Sequence, residues 1–360
     1  MNVTVMGAGN SGLAMATHLS KEGNHVTLWN RSKETIGKLL ETHVIYCKGV
    51  IDGEVKIHLV TDDIGKAVEN PDVILITTPA NSHKEMAEQI AMHIKKETLI
   101  VLNPGRTFGA LEFQENYEKY NQTFKQTIAE TQTIIYTCRK TKEDAVNIIA
   151  LKSDVLISTF DAKENEKIIL RLPECLQKYF IPARSMIETS IGNVGMILHC
   201  APLLLNTGWT ENESNIYKYY YDGITPSVGR LIEKIDQERV LVSKELGLEV
   251  ETTQEWMKRT YHVQGQSLYE CIQNNEIYKS ILAPGSINHR YIFEDVPCGL
   301  VPLEATGKKL GLEMKNTSLI IDLASSLTDV NFRKTGRNLS SRLDVSQNND
   351  FRDLFQRRNE

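Results

Sequence analysis

The 360-residue chain lacks the features that would place it in a membrane, on a nucleic acid or in an oxidising compartment. It has no run of about 18 apolar residues, so we expect no membrane-spanning helix. Its net charge is -5 and no long block of one sign occurs, which gives no support for a nucleic-acid partner or a polybasic membrane contact. Its six cysteines are scattered without a C-x-x-C pair. That pattern favours reduced thiols in a cytoplasmic protein over a metal site or a disulfide framework.

Internal repeats and low-complexity segments are also absent, and what remains is a globular composition. Hydrophobic residues make up 41% of the chain and charged residues 24%, which excludes a disordered or fibrous protein. At roughly 100–200 residues per domain, the length predicts about two domains. The first predicted strand begins at Asn2, and we therefore expect no signal peptide.

The first half of the chain alternates short β-rich runs with helical patterns. The predicted strands are 2–6, 25–29, 73–77 and 99–102, and the predicted helices are 13–22, 33–42 and 83–96. Such alternation is typical of βαβ units around a parallel sheet. A hairpin-like excursion is predicted at 44–60, and runs at 134–137, 147–150 and 154–158 are predicted to extend the sheet.

The second half is helical in character. Long helical patterns are predicted at 184–206, 226–246, 252–282 and 302–327. We therefore predict an α/β domain over residues 1–183 and an all-α domain over residues 184–360. The last thirty residues are polar, and we interpret them as a solvated tail or a terminal helix.

A glycine-rich segment directly follows the first predicted strand and opens the first predicted helix. It reads Gly7-Ala8-Gly9-Asn10-Ser11-Gly12 and fits G-x-G-x-x-G. Gly7 permits the tight turn, Gly9 lets the backbone approach a pyrophosphate, and Gly12 lets the helix pack against the strand. The helix N-terminus adds free N–H groups and a partial positive charge. The pattern in this context predicts a bound dinucleotide, held by these six residues.

The end of the second strand bears on which dinucleotide is bound. An NAD-preferring domain usually has Asp or Glu there, whereas this chain has neutral Asn30 and cationic Arg31. A guanidinium can pair with a 2′-phosphate, so we favour NADP(H) over NAD(H). Thr78-Pro79 and Asn103 follow two further strands, and we expect them to flank the nicotinamide half. Each of these two loops is also compatible with ordinary turn chemistry.

Three ionisable residues of the second half suggest acid–base chemistry. Histidine suits proton transfer because its ordinary pKa lies near neutral pH, and His199 lies in an apolar helical run. Asp295 could orient an imidazole through Nδ1–H and stabilise its charged form. Arg290, in a strand-like segment, could bind a substrate carboxylate or polarise a carbonyl. A core histidine, a helix-capping aspartate and a surface arginine are the alternatives.

The chain resembles the opine dehydrogenase family (the octopine/nopaline dehydrogenase group) over nearly its whole length. The segments that carry the resemblance are Gly7–Gly12, Asn103-Pro104-Gly105, the helix with Asn193, His199 and Pro202, residues 221–228, Glu294-Asp295-Val296-Pro297 and Gly299-Leu300-Val301-Pro302. The resemblance implies a Rossmann-type domain joined to an all-helical domain, with substrate in the cleft between them. It implies reductive condensation of an amino acid with a 2-oxo acid to an N-(carboxyalkyl)amino acid.

The same resemblance implies roles for individual residues. His199 would be the proton donor and acceptor, Asp295 its partner, Arg290 a substrate-polarising or carboxylate-holding group, and Asn193 a residue lining the site. The alternatives are a ketopantoate reductase or glycerol-phosphate dehydrogenase-like enzyme and a non-catalytic NADP(H)-binding redox sensor. The enzymes of the first alternative typically have a lysine soon after the asparagine, and none directly follows Asn193. No metal site is indicated, and a homodimer is left open.

Overall fold

The computed structural model describes residues 1–337, which form two compact units. The first unit comprises residues 1–105 and 109–190, and the second comprises residues 106–108 and 191–337. The change of unit therefore falls after residue 190, where the sequence suggested a boundary near residue 183. Residues 338–360, which include the end of the predicted second domain and its polar tail, lie outside the described residues.

The first unit contains twelve strands and seven α-helices within the described ranges. The strands are β1 (Asn2–Met6), β2 (His25–Trp29), β3 (Val44–Gly49), β4 (Gly53–Lys56), β5 (Leu59–Thr61), β6 (Val73–Ile76), β7 (Leu99–Leu102), β8 (Thr127–Thr131), β9 (Tyr136–Lys142), β10 (Ala145–Leu151), β11 (Val155–Thr159) and β12 (Phe180–Pro182). The helices are α1 (Asn10–Lys21), α2 (Lys33–Thr42), α3 (Ile64–Ala67), α4 (His83–His93), α5 (Gly109–Glu118), α6 (Asn165–Arg171) and α7 (Glu174–Gln177). A further helix, α8 (Met186–Ile191), ends at the change of unit.

The main sheet has the order β12-β11-β8-β7-β6-β1-β2-β5 among the described strands. The strands from β8 to β5 run parallel, and β11 pairs antiparallel with β8. Strands β6 and β7 are apolar and buried along their whole length because helices cover parallel sheets on both faces. The predicted parallel α/β domain is thus confirmed, and strand β11 confirms that the run at 154–158 extends the sheet.

The prediction that the runs at 134–137 and 147–150 extend the same sheet is wrong. They form β9 and β10, which join β3 and β4 in a second, four-stranded sheet of order β4-β3-β10-β9. This sheet packs on α1: Tyr136 Oη lies 3.0 Å from His18 Nδ1, and Cys138 Sγ donates to the Asn10 carbonyl (3.3 Å). A short apolar run predicts a strand but not the partner of that strand.

The second unit is helical over the residues that the structure describes. Its helices are α9 (Gly195–Leu205), α10 (Thr207–Thr210), α11 (Pro226–Glu245), α12 (Thr253–Tyr261), α13 (Leu268–Gln273), α14 (Arg290–Phe293), α15 (Val301–Lys309), α16 (Lys315–Thr328) and α17 (Phe332–Thr335). A π-helical turn, Val296–Leu300, precedes α15. Helix α11 agrees with its prediction: Thr225 Oγ1 accepts from the Val228 N–H, Pro226 occupies the first turn, and Gly247 (φ +97°) follows the end.

Three predicted long helices are interrupted. The pattern at 184–206 breaks into α8 and α9 around Asn193, whose Oδ1 accepts from the Gly195 N–H (3.2 Å). The pattern at 252–282 breaks after α12, where His262 adopts φ +55°. The pattern at 302–327 breaks at Gly311 (φ +78°). Left-handed residues end helices without disturbing the apolar periodicity, and for that reason the pattern alone did not indicate the breaks at His262 and Gly311.

One further expectation for the second half needs correction. Arg290 was expected in a strand-like segment, but it begins the short helix α14, which His289 caps. The last thirty residues were expected to form a solvated tail or a terminal helix; their described part contains the short helix α17, and Arg337 after it is 3% exposed and donates to the Thr107 carbonyl (2.6 Å). Within residues 1–337, no helix combines the length and the hydrophobicity needed to cross a bilayer.

Candidate active site

The glycine-rich turn between β1 and α1 depends on two glycines that no other residue can replace. Gly7 adopts φ +110°, in the left-handed region, and its N–H donates to the Trp29 carbonyl (2.8 Å). A Cβ at Gly12 would lie 1.8 Å from the Gly7 carbonyl oxygen. Gly12 therefore lets the first turn of α1 pack directly against the preceding loop, as the motif predicts.

Gly9 plays a different part. Gly9 directly precedes α1, and among residues 1–337 no side chain caps the helix there. The space beside its Cα is open, since a Cβ at this position would have no atom of those residues within 4 Å. The first N–H groups of a helix need acceptors, and a phosphate placed at an open helix start supplies them. The uncapped start of α1 beside a residue without a side chain fits the pyrophosphate of a dinucleotide.

The other predicted cofactor residues of this loop contact protein atoms as well. The Ala8 N–H donates to Asn30 Oδ1 (3.0 Å), and Asn10 Oδ1 accepts from the Lys140 N–H (2.6 Å). Ser11 lies in the first turn of α1. Asn30 thus holds the turn in place, which a sequence pattern does not reveal.

Arg31 lies at the end of β2 and is largely in solvent. Its Nη1 is 2.6 Å from Glu85 Oε2, and its side chain is 71% exposed. An exposed pair of this kind contributes about 0–1 kcal/mol, so a phosphate can compete for the guanidinium. This position agrees with the predicted 2′-phosphate contact but does not test it.

The remaining predicted cofactor residues follow neighbouring strands of the main sheet. Thr78 and Pro79 come after β6, and Asn103 comes after β7, so both loops share the sheet edge with the Gly7–Gly12 turn. Asn103 is buried and its Nδ2 donates to the Val101 carbonyl (3.1 Å). Ligands of open parallel sheets bind at this edge, and the predicted cofactor contacts of these three residues stay predictions.

In the helical unit, His199 and Asp295 form a close pair. His199 Nδ1 on α9 lies 2.7 Å from Asp295 Oδ2, just before the π-helical turn. An ionised carboxylate only accepts hydrogen bonds, so Nδ1 carries the proton and Nε2 is left for chemistry. The His199 side chain is 17% exposed, whereas Asp295 is fully buried. The predicted pair of an imidazole and an orienting carboxylate is present in the geometry.

Arg106 keeps the buried Asp295 carboxylate ionised. Burial by itself would raise the pKa of Asp295, but the charge of Arg106, followed by that of His199, lowers this pKa to about 2. Arg106 Nη1 lies 3.4 Å from Asp295 Oδ1 and Nε lies 3.3 Å from Glu294 Oε1. Burial lowers the pKa of Arg106, yet the charges of Asp295 and Glu294 raise it overall. Arg106 and Asp295 are therefore both charged at neutral pH.

Arg290 joins this network through Glu294. Its Nη2 lies 2.9 Å from Glu294 Oε2, and its side chain is 51% exposed while that of Glu294 is 3% exposed. The half-exposed guanidinium agrees with a role in binding a carboxylate. Glu294 is the buried group that holds it, and nothing in the sequence pattern assigned that role.

Asn193 contacts protein atoms on both sides of its amide. It is 1% exposed, and its Oδ1 accepts from Arg106 Nη1 (3.3 Å). Its Nδ2 lies 3.5 Å from Thr107 Oγ1. Asn193 thus positions Arg106, and its predicted contact with substrate stays a prediction.

Tyr291 fixes the plane of the His199 ring. The two rings stack with centroids 3.9 Å apart and an angle of 10° between their planes. Tyr219 Oη donates to the His199 carbonyl, which fixes the backbone below the ring. Sequence reasoning missed Arg106, Glu294 and Tyr291. Arg106 stands beside the Asn103-Pro104-Gly105 motif, but a single arginine in a loop gives no sign that it is buried.

Comparison with known proteins finds a family model for each part of the chain and a relative that covers nearly all of it. Residues 182–328 match the model described as NAD/NADP octopine/nopaline dehydrogenase, alpha-helical domain, and residues 2–137 match the NAD-dependent glycerol-3-phosphate dehydrogenase N-terminus. The chain is 37% identical over 336 residues to an opine dehydrogenase of Arthrobacter sp. (strain 1C), with 93% of each chain covered.

Solved structures give the same fold. The structure of octopine dehydrogenase in complex with NADH and agmatine matches with a TM-score of 0.74 and 18% identity, covering 95% of this chain and 94% of the other. Yersinopine dehydrogenase with NADP+ bound matches with a TM-score of 0.77 and 14% identity, covering 94% and 93%. The predicted combination of a Rossmann-type domain with a helical domain is confirmed. The chain belongs to the opine dehydrogenase family, whose members are NAD(P)-dependent oxidoreductases that act on CH–NH groups.

Proposed function

We propose that this chain joins the α-amine of an amino acid to the carbonyl carbon of a 2-oxo acid, such as pyruvate, and reduces the resulting imine to an N-(carboxyalkyl)amino acid. The His199–Asp295 pair carries the proposal, because imine formation and reduction together consume one proton and release one water. An imidazole with one nitrogen held by a buried carboxylate is suited to moving protons at the other nitrogen.

The cofactor and the protein divide the work. NAD(P)H, when bound, supplies the hydride. The open start of α1 at Gly9 binds the pyrophosphate, and Gly7 and Gly12 maintain the shape of that turn. The protein otherwise contributes orientation and charge, which bring the reacting groups into one geometry.

His199 transfers protons at Nε2, first as a base and then as an acid. As a base it accepts a proton from the ammonium group of the amino acid, which frees the amine for attack on the carbonyl carbon. As an acid it returns a proton to the hydroxyl group that leaves as water. Asp295 keeps Nδ1–H as a donor throughout, and the stacked Tyr291 ring keeps the imidazole in one plane.

Arg290 binds a substrate carboxylate. Both substrates carry one, and a guanidinium binds a carboxylate through two parallel hydrogen bonds. Its half-exposed position and its ion pair with Glu294 support this role, because the pair keeps the side chain extended toward solvent.

NADP(H) is the cofactor we favour. Asn30 is neutral and its Oδ1 accepts from the Ala8 N–H, so the residue at this position does not itself repel a 2′-phosphate. Arg31 next to it is exposed and held only by a surface ion pair. Lys33 is also exposed and lies near Asp62 (3.3 Å).

The experiment is a substrate matrix with both NADH and NADPH. Pyruvate and other 2-oxo acids are combined with pooled and single amino acids, and products are identified by mass. We expect dinucleotide oxidation that requires both an amino acid and an oxo acid, and a product mass equal to the condensed, reduced pair. Oxidation with the oxo acid alone would instead indicate a 2-oxo acid reductase.

A His199→Ala variant tests the assigned acid–base group. We expect kcat to fall by about 10²–10⁴-fold, the usual contribution of a positioned acid or base, with NADP+ affinity unchanged. Near-wild-type turnover in His199→Ala would remove His199 from the mechanism. Dinucleotide binding without oxidation by any oxo acid in the wild-type protein would favour a redox sensor.

A further inference from the structure

Lys140 places an ammonium group beside the glycine-rich turn from a sheet that is not part of the dinucleotide fold. It belongs to β9 of the four-stranded sheet. Its Nζ donates to the Ala8 carbonyl (3.1 Å) and lies 3.4 Å from the Thr35 carbonyl. Ala8 is in the turn, and Thr35 is in the first turn of α2, directly after Arg31 and Ser32 along the chain. One cation therefore contacts both segments that frame the end of β2.

The position of Lys140 is fixed by its backbone. Its N–H donates to Asn10 Oδ1 (2.6 Å), and Cys138 on the same strand donates through Sγ to the Asn10 carbonyl (3.3 Å). Strand β9 is thus attached to the first residue of α1. The backbone of Lys140 is therefore held beside the turn, within reach of its side chain, whose Nζ contacts the Ala8 and Thr35 carbonyls.

This cation has no carboxylate partner among residues 1–337. The nearest acidic residues along the strand and its turn are engaged by Lys38: Glu143 Oε1 accepts from the Lys38 N–H (2.5 Å), and Asp144 pairs with Lys38 Nζ. Lys140 is half-buried, and burial lowers its pKa while Glu143 and Asp144 raise it. Its two contacts are both to carbonyl oxygens, so one of the three ammonium hydrogens remains for a further acceptor. A desolvated cation without a counterion at a phosphate-binding loop is suited to an anion.

The surroundings indicate which phosphate it meets. The pyrophosphate belongs at the start of α1, near Gly9. Lys140 Nζ instead contacts the Ala8 carbonyl and the Thr35 carbonyl of α2, and the Ala8 N–H donates to Asn30, the position that normally contacts the ribose hydroxyls. We propose that Lys140 determines cofactor specificity by binding the 2′-phosphate of NADP(H) together with Arg31. The inference rests on the proposed function in that it requires a bound dinucleotide, but it does not depend on the acid–base assignments.

The test compares ligands that differ only in the 2′-phosphate. Binding of 2′,5′-ADP, 5′-ADP, NADP+ and NAD+ to the full chain is measured by titration calorimetry. For Lys140→Gln we expect affinity for 2′,5′-ADP and NADP+ to fall by about tenfold or more, as for loss of one charge-assisted hydrogen bond, and affinity for 5′-ADP and NAD+ to change less than about twofold. Lys140→Arg keeps the charge and is expected to keep most of the discrimination.

Lys142→Gln is the matched control, since Lys142 is an exposed lysine of the same strand and the change in net charge is identical. It is expected to leave all four affinities unchanged. An equal loss for all four ligands in Lys140→Gln would place Lys140 on the pyrophosphate and overturn the proposal, and no loss would overturn it too. If Lys140→Gln does not fold, the Lys140→Arg variant is used in its place, and an equal loss of affinity for all four ligands in that variant would overturn the proposal. Absence of any dinucleotide binding in the wild-type chain would refute the proposed function instead.

Discussion

Replacing Arg106 with glutamine is expected to destabilise the helical unit more than any exposed ion pair would predict. Arg106 is 8% exposed, 3.3 Å from Glu294 Oε1 and 3.4 Å from Asp295 Oδ1. At 3.4 Å, one pair of unit charges attracts by about 5 kcal/mol if the effective dielectric constant is ~20. Glutamine would leave two buried carboxylates with one cation fewer. Breaking a buried pair in this way costs about 3–5 kcal/mol, and we expect the free energy of unfolding to fall by that amount.

The matched control is Arg259→Gln in the same unit. Arg259 contacts Glu251 through two shorter hydrogen bonds, of 2.6 and 3.0 Å, but its side chain is 43% exposed. Water screens that pair, so its loss should cost less than about 1 kcal/mol. Urea unfolding of both variants, followed by circular dichroism, checks the comparison. Equal losses in the free energy of unfolding for Arg106→Gln and Arg259→Gln would show that burial does not determine the strength of these ion pairs, and would refute the prediction.

A double variant separates charge from packing. If Arg106 matters because it compensates buried carboxylates, then adding Asp295→Asn to Arg106→Gln removes one uncompensated charge. The double variant should then be more stable than the sum of the two single losses predicts, by about 1–3 kcal/mol of coupling energy. Strictly additive losses would mean that the Arg106 side chain only fills space.

Two further predictions follow from the geometry. Gly9→Ala should keep the stability of the unliganded chain within about 0.5 kcal/mol but abolish NADP+ binding. Gly12→Ala should lose both stability and NADP+ binding, because its Cβ would lie 1.8 Å from the Gly7 carbonyl oxygen. Thermal melting measures the stability of each variant, and calorimetry measures its NADP+ binding. Glu304 on α15 is buried, which would raise its pKa, but hydrogen bonds from Arg333, Lys308 and Ser318 lower that pKa to about 2, as Arg106 and His199 do for Asp295. Both carboxyls therefore bind protons more tightly in the unfolded chain, and stability should fall as pH drops from about 5 to about 2. Urea unfolding across that range should show a shallower fall in Asp295→Asn, and an unchanged slope would contradict the assignment.

The dinucleotide-binding part could be predicted from sequence because its determinants are local. The turn Gly7–Gly12 and the strands on either side of it lie close together in the sequence; Gly7 and Gly12 each have a steric reason, and Gly9 leaves space for a phosphate. The pairing of β9 and β10 with β3 could not be predicted this way, because strand partners far apart in sequence leave no periodic signal. Lys140 reaches the turn only through that pairing.

In the acid–base site, too, residues within sequence motifs were predicted, whereas contacts between distant parts of the chain were not. His199 and Asp295 were predicted because each lies in a motif that resembles a family pattern, and the structure brings them to 2.7 Å. The contact of Arg106 with Asp295 was not predicted, because about half of the chain separates the two residues in sequence. Residues 106–108 belong to the helical unit although the residues on both sides of them belong to the first unit. The buried charges of a site are satisfied by tertiary contacts, and sequence spacing carries no information about them.

Five ionisable side chains from Arg290 to His199 form one connected row. Basic and acidic side chains alternate along Arg290, Glu294, Arg106, Asp295 and His199, with each neighbouring pair within 3.4 Å. Glu294 lies beside two arginines, so a substrate carboxylate that drew Arg290 away would remove one of the two cations from Glu294. The electrostatic attraction of Arg106 for Glu294 relative to Asp295 would then change, and Asp295 is the group that contacts the imidazole. We therefore expect that a substrate carboxylate bound at Arg290, as proposed, is electrostatically connected through this row of side chains to Nε2 of His199, the proposed proton-transfer atom.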